Sequence, residues 1–220
     1  MSNLTSNHKN KRILQIIPNM EIGGAERTVL EITAFLKKNT DYTSIVLTSG
    51  GKLIKDLERL NIDVIQCPID KKNPLSILIN IFKFKKIFKK EKIDLIHVRS
   101  RGPAWSAIYA GKYLNIPTLT TWHGHVNQTS WLKKTYNSIM HRGNALIANS
   151  KYTAENISKI YRIDKSKIDI IPRGVDINNF KESNFNNHEV TRIKEDWKIF
   201  DKEKIIILLP ARLTKWKGHE

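Results

Sequence analysis

Arg12-Ile13-Leu14-Gln15-Ile16-Ile17 runs into Ile22-Gly23-Gly24-Ala25-Glu26-Arg27-Thr28, and the reading of this junction decides the fold. A short apolar run with a charged start reads as a buried strand, and the glycine pair then opens a segment whose apolar residues recur at helical spacing. The order is strand, short turn, helix. Glycine at such a junction lets backbone N–H groups approach a ligand, and a helix N-terminus adds partial positive charge, so an anion is a natural guest. A Gly-Gly turn before a helix is also commonly no more than a turn. The pattern is neither a Walker loop nor the G-x-G-x-x-G fingerprint.

Outward from the junction, residues 25–38 read as a helix, with Ala25, Val29, Ile32 and Leu36 on one face and lysines at the end where they suit the dipole. A strand over 44–48, a turn at Ser49-Gly50-Gly51, a helix over 53–60 and a strand over 63–66 follow. Such alternation argues for parallel strands joined by crossover helices, an α/β sandwich. The pattern continues with strands expected at 93–98, 118–122, 145–148 and 167–171 and helices at 75–90, 103–114 and 131–142, with another after Ser150. The polar, asparagine-rich stretch 181–188 reads as a linker or surface excursion. A helix over 189–200 and an apolar strand over 204–209 come next, and the loop 210–218 would lead into a further element, as at the start of a second α/β domain.

The 220 residues suffice for one large domain or two small ones with a proper core. Charge is the anomaly, because 38 Lys+Arg against 21 Asp+Glu leave a net +17 and favour anionic partners. Composition does not choose among nucleic acid, acidic membrane surface and phosphorylated small molecules. The single cysteine, Cys67, rules out an internal disulfide and a cysteine-cluster metal site, and reads as a small packed hydrophobe. Residues 1–11 are polar and lack the apolar core of a secretory signal, and no later apolar run is long enough for a bilayer. A cytoplasmic protein is expected, with peripheral attachment to the inner face of the plasma membrane as an added option.

That option rests on the helix beginning at Asn73-Pro74. Ile77, Ile81, Phe84 and Phe88 form one stripe, and Lys83, Lys85, Lys86, Lys89, Lys90 and Lys92 crowd the rest. A basic amphipathic helix of this kind can lie on an anionic membrane. It is equally a sheet-covering helix with a solvated lysine face, and the two readings are compatible. Its phenylalanines fall on the apolar stripe and offer no stacking platform for nucleic acid.

Site candidates cluster after the strands, where open α/β sheets bind ligands. Arg99 and Arg101, in Arg99-Ser100-Arg101-Gly102-Pro103, suit an anionic group and are expected in a loop. His123 and Gly124 end the strand over 118–122, where catalytic side chains are often placed. His123 and His125 have no carboxylate or cysteine companion nearby, which favours hydrogen bonding to a ligand over metal binding. Ser150, with no neighbouring His or Asp, is an expected helix N-cap.

The segments Ile22-Gly23-Gly24-Ala25-Glu26-Arg27, Thr121-Trp122-His123-Gly124, Ile147-Ala148-Asn149-Ser150, Ile171-Pro172-Arg173-Gly174-Val175-Asp176 and Pro210-Ala211-Arg212-Leu213-Thr214-Lys215-Trp216-Lys217-Gly218 occur in one order along the chain. Together they resemble family-four retaining glycosyltransferases. The stretch from Arg99 to Ala107 looks like the bacterial branch of that family. The resemblance covers nearly everything after Lys11, and the ordered set is far more specific than any one motif.

It implies the GT-B architecture, in which two Rossmann-like domains with doubly wound parallel sheets face each other across a cleft. Residues 1–11 would be a disordered polar N-terminus and 12–180 an N-terminal Rossmann-like acceptor domain. Residues 181–203 would be a linker and helix, and 204–220 the start of a truncated C-terminal donor-binding domain. The implied enzyme is of hexosyltransferase type, moving a sugar from a nucleotide-sugar donor to a cell-envelope polysaccharide or lipid-linked acceptor, without metal or other cofactor. By the resemblance His123 contacts the transferred sugar as the catalytic candidate. Gly23, Gly24, Arg212 and Lys217 bind the donor diphosphate. Arg99, Arg101, Ser150 and Arg173 are acceptor or cleft candidates. Arg173 stands where many relatives carry Asn. The family's paired glutamates are not in this sequence, so the chain alone is expected to be inactive or to need a separate C-terminal partner chain. The competing reading is a non-catalytic basic module on anionic membrane through 83–92.

Overall fold

A computed structural model describes residues 10–70, 73–124, 130–175, 177–200, 205–211, 213 and 218. The chain divides into two compact units, 1–173 and 174–220. The division falls shortly before the expected domain end at 180.

The first unit is a seven-stranded parallel sheet. Its strands are β1 (Arg12–Ile16), β2 (Thr43–Thr48), β3 (Asp63–Gln66), β4 (Leu95–Val98), β5 (Thr118–Trp122), β6 (Ala145–Ala148) and β7 (Asp169–Ile170). The spatial order is β3-β2-β1-β4-β5-β6-β7, all parallel, which is the doubly wound Rossmann-like α/β fold. The connections are α1 (Gly24–Asn39), α2 (Ile54–Arg59), α3 (Pro74–Lys90), α4 (Arg101–Leu114), α5 (Trp131–Asn137) and α6 (Lys151–Tyr161). Strand order reverses between β1 and β4. Right-handed crossovers therefore place α1 and α2 on one face and the later helices on the other.

The two cores follow from that split. Leu14, Ile16, Ile45, Leu47, Ile96 and Val98 meet Phe84 and Phe88 of α3, Ala104 and Ala107 of α4, and Ile157 of α6. On the other face Ile17 and Val46 meet Val29 of α1 and Leu57 of α2. Each fully buried Leu, Ile or Phe contributes roughly 1.5–3 kcal/mol, so the central strands carry most of the stability. The stripe expected on α3 faces this core, with Phe84 and Phe88 fully buried and Ile77 and Ile81 half-buried. Cys67 is half-buried against the same core, and burial raises its thiol pKa.

The helix expected over 131–142 is broken. α5 ends at Asn137 and a 3-10 turn, Ser138–His141, continues to β6.

The second unit holds short 3-10 turns at Ile177–Phe180 and Glu182–Asn184, then α7 (Asn187–Asp196), which ends four residues before the expected stop. Residues 205–210 form no strand and their side chains are exposed, against the expectation for 204–209. A strand is defined by its ladder, and an apolar run without a pairing neighbour gains neither backbone bonds nor burial. Among the described residues no helix is long and apolar enough to cross a membrane.

Candidate functional site

The chain leaves β1 through Ile17, Pro18, Asn19 and Met20, and this loop is pinned by main-chain bonds to the turn after β2. Ser49 N–H donates to Pro18 O (2.8 Å), Met20 N–H to Gly50 O (2.7 Å) and Leu53 N–H to Met20 O (2.8 Å). Contact this close requires glycine. Gly51 has φ +131°, and a Cβ there would lie 2.4 Å from the Met20 carbonyl carbon. The pinned loop forms one lip of a cleft of about 340 Å³ at the carboxyl ends of β1, β4 and β5, beside the point where strand order reverses. Crevices at that point are where doubly wound sheets bind ligands.

Arg99 lines the cleft although it is only 5% exposed. Gln15 and His97 lie opposite each other in register on β1 and β4, and Arg99 and Thr121 stand one pleat further toward the carboxyl end. Arg99 Nε–H donates to Gln15 Oε1 (3.1 Å) and its Nη2–H to His97 Nδ1 (3.3 Å). Because an arginine only donates, His97 accepts at Nδ1 and carries its proton on Nε2, which donates to Thr121 Oγ1 at 2.7 Å. Burial, then Arg99, hold His97 well below its ordinary pKa, so it stays neutral. Burial, then Arg173, bring Arg99 down to about 10, which still leaves it charged at neutral pH. Neutral partners orient this cation and none of them cancels its charge. A buried cation held this way is costly, and an anion in the cleft would offset the cost.

His123 follows β5 into the same cleft. Arg173 Nη2–H donates to its Nδ1 at 3.1 Å, which fixes the Nε2–H tautomer, and Nε2 itself is buried without a hydrogen-bond partner among the described residues. Burial first, then Arg99 and Arg173, push its pKa down to about 3. His123 is thus a neutral imidazole lining the cleft, with one N–H donor left unpartnered among the described residues. Gly24 makes room for this arrangement, since a Cβ on it would sit 2.1 Å from Arg173 Nη1. The glycine pair therefore acts through space rather than through backbone angle, because Gly23 has the extended φ of −159° that any residue adopts.

Helix starts complete the site. α1 follows Gly23 and α4 follows Ser100, neither of which gives a side-chain cap, and the first turns of both line the cleft through Ala25, Glu26 and Arg101. Free N–H groups and two positive helix ends thus face one space. Glu26 is the one acid among the described residues lining it. Arg101, expected in a loop, is instead the first residue of α4, because Ser100 already has the extended backbone of an N-cap and Pro103 suits a first helical turn. Arg101 is partly buried, with its guanidinium 5.5 Å from the Trp122 ring centre and its pKa lowered chiefly by burial.

The structure thus brings Arg99, Arg101, His123 and Arg173 together, with Gly24 beside them. Ser150 is spent locally, its hydroxyl accepting from Thr153 N–H at 3.1 Å as the cap of α6. Arg212, Lys217, His125 and Asp176 lie outside the described residues. Sequence reasoning missed Gln15, His97 and Thr121; the signal for Gln15 and His97 was a polar residue within an apolar run, whereas Thr121 is one of three threonines in β5 and carried none. It also missed Asn19 and Glu26 on the lips. Among the described residues no group of three or more His, Cys, Asp and Glu can hold a metal ion.

A search of curated sequences returned no match. Among solved structures the chain is similar to a glycosyltransferase from Rickettsia africae ESF-5, with 36% identity over 96% of this chain and 55% of that one and a TM-score of 0.80. It is similar in fold to Anabaena HepE in complex with UDP and glucose, at 17% identity, 86% and 51% coverage and a TM-score of 0.69. MurG from Acinetobacter baumannii shares the fold at 16% identity, 76% and 47% coverage and a TM-score of 0.55. The chain spans about half the length of these proteins. The Glycosyltransferase Family 4 profile matches residues 22–179, from the glycine pair through β7 and beyond Arg173, and the chain belongs to that family.

Proposed function

We propose that this chain supplies the acceptor-side half of a retaining, hexosyltransferase-type enzyme that moves a sugar from a nucleotide-sugar donor to a cell-envelope polysaccharide or lipid-linked acceptor in the cytoplasm. The observation that carries the reading is the electropositive cleft, in which buried Arg99 and two uncapped helix starts meet and the arginine has no neutralising partner among the described residues. The structures of HepE with UDP and glucose support a nucleotide-sugar as the donor class.

Retaining transfer breaks the bond between the anomeric carbon and the diphosphate and forms one to the acceptor oxygen on the same face. The departing nucleoside diphosphate gains negative charge, and cations already fixed in a water-poor cleft stabilise that charge without reorganising. Arg99 and Arg101 serve this end from the acceptor side, and His123 Nε2–H donates to an oxygen of the transferred sugar. Arg212 and Lys217 are the proposed grip on the donor diphosphate, a forked donor and a point charge. The charge is assigned to protein cations, so the proposed reaction uses no metal. Residues of the other half would position the sugar, and correct positioning alone is worth several orders of magnitude in rate.

A titration with a nucleotide-sugar tests the reading. The 220-residue chain should bind weakly and turn over little, and adding a donor-binding half as a second polypeptide should raise affinity at least tenfold and restore transfer. Robust transfer by the chain alone would refute the division of labour. Failure of His123→Ala to reduce transfer in the assembled enzyme would refute the site.

A further inference from the structure

The outward face of α3 is divided in a way that its role in the fold does not explain. Phe84, Phe88 and Asn80 point into the protein and are buried. On the opposite side of the first half, Leu75, Leu78, Ile79 and Phe82 are 67, 53, 45 and 58% exposed. At 100° per residue these four share one arc, and in the second half of the helix Lys86 and Lys89 lie in that arc while Lys83, Lys85 and Lys90 flank it. The apolar part continues onto α4. Lys85 Nζ lies 3.1 Å from the centre of the Tyr113 ring and 5.7 Å from that of Phe82, and Tyr113 is 67% exposed.

Neither α3 nor α4 contains an acidic residue. The nearest one along the chain, Glu91 at the end of α3, is paired with Arg12 at 3.1 Å and reaches only Lys90 among the lysines of the helix, at 4.0 Å. A solvated lysine face would account for the second half alone, but it gives no reason for four large apolar side chains facing water in the first. Apolar side chains that need a non-aqueous phase, beside lysines that need anions, match the boundary of an anionic bilayer, where acyl chains and headgroups supply both. Lysine stems reach from such a face to headgroups while the apolar residues enter below them.

We propose that the outward face of α3, with Tyr113 of α4, docks the protein on anionic membrane, Leu75, Leu78, Ile79 and Phe82 entering the acyl boundary and the five lysines engaging lipid phosphates. This does not depend on sugar transfer, and its test reads no catalysis. The 220-residue chain is co-sedimented at about 0.1 M salt with vesicles of phosphatidylglycerol and phosphatidylcholine, or of phosphatidylcholine alone. Binding is expected to the anionic vesicles only. Leu78→Ser/Phe82→Ser and Lys83→Ser/Lys86→Ser/Lys90→Ser should each lower the bound fraction at least fivefold. Lys159→Ser/Lys165→Ser/Lys167→Ser, which removes equal charge from another surface, should leave it near the parent value. Circular dichroism of each variant confirms the fold, since all the altered side chains are exposed.

Equal losses from the two lysine sets would mean that net charge alone drives binding, and would overturn the assignment to α3. An unchanged serine double variant would overturn the insertion. Parent binding to neither vesicle, with light scattering showing a dimer that the double variant dissolves, would overturn the membrane in favour of a second copy.

Discussion

Helices α1 and α6 both start at the carboxyl edge of the same sheet, yet their first turns are treated in opposite ways. Ser150 closes α6 by accepting from Thr153 N–H, and Asn73 and Ser130 do the same for α3 and α5. Gly23, Leu53 and Ser100 leave α1, α2 and α4 without a side-chain cap, and of these three α1 and α4 begin on either side of the β1/β4 reversal and line the cleft. A helix start that satisfies itself contributes stability. One left open holds its donors for something else. The same division runs through the charged groups, since the central cation Arg99 is held by neutral partners while Arg12, at the opposite edge of the sheet, pairs with Glu91.

Acid provides the largest test of this contrast. Burial lowers the pKa of His97, His123 and His141 in the folded protein, so each is neutral when folded and takes up a proton more readily when unfolded. Their contribution is complete above pH 6.5 and declines as pH falls toward the folded values, about 3 for His123. His123 alone should account for a loss on the order of 4 kcal/mol across that window. Asp94, whose carboxyl is lowered mainly by the Arg12 backbone N–H, adds a loss of the same sign only below about pH 4. Urea midpoints between pH 7 and 4 should therefore fall in the parent protein and fall less in His123→Gln. An identical slope in the variant would contradict the buried, neutral imidazole.

Arg99→Met should cost roughly 2–3 kcal/mol of transition-state binding, about a hundredfold in kcat/KM of the assembled enzyme. Stability should change little, because the lost bonds to Gln15 and His97 are offset by removal of an uncancelled buried charge. A large fall in unfolding midpoint with unaltered kcat/KM would make Arg99 a structural residue only. Gly24→Ala should displace Arg173 and cost about 1–2 kcal/mol in the same assay. The 15N shifts of His123 would then move from a fixed Nε2–H tautomer toward a mixture. The smallest effect divides the two kinds of helix start. Ser150→Ala should lower stability by about 1 kcal/mol with catalysis intact, whereas Gly23→Ser should leave stability equal or better while weakening catalysis.

Much of this was legible before any coordinates. The strands announced themselves because a parallel sheet buries both faces, so Ile13-Leu14-Gln15-Ile16 and Ser44-Ile45-Val46-Leu47 are nearly continuous apolar runs. Ser150 was readable as a cap because its partner is three residues away. Arg99 was readable as a cation after a strand, but its orientation was not, since Gln15 lies 84 positions away in sequence and Thr121 holds His97 from 24. The glycine pair was legible as a place where backbone nears a ligand, but its steric role was not. Gly24 yields space to Arg173, a residue known to be its neighbour only once β7 has been placed at the sheet edge. The segment 205–210 misled because local apolarity proposes a strand and only pairing makes one.

The lip formed by Pro18, Asn19 and Met20 is fastened to the 49–53 turn by main-chain bonds, with the Thr48 hydroxyl set between Pro18 O and Gly50 O. Its path is therefore set by these bonds, by the buried Met20 side chain and by the Gly51 that lets the two strands of backbone touch, and not by the side chain of Asn19. Asn19, which faces the cleft, can be exchanged without moving the loop that presents it. That makes the lip a natural place for selection, or a directed library, to vary what the cleft accepts while the cations beneath it stay in register.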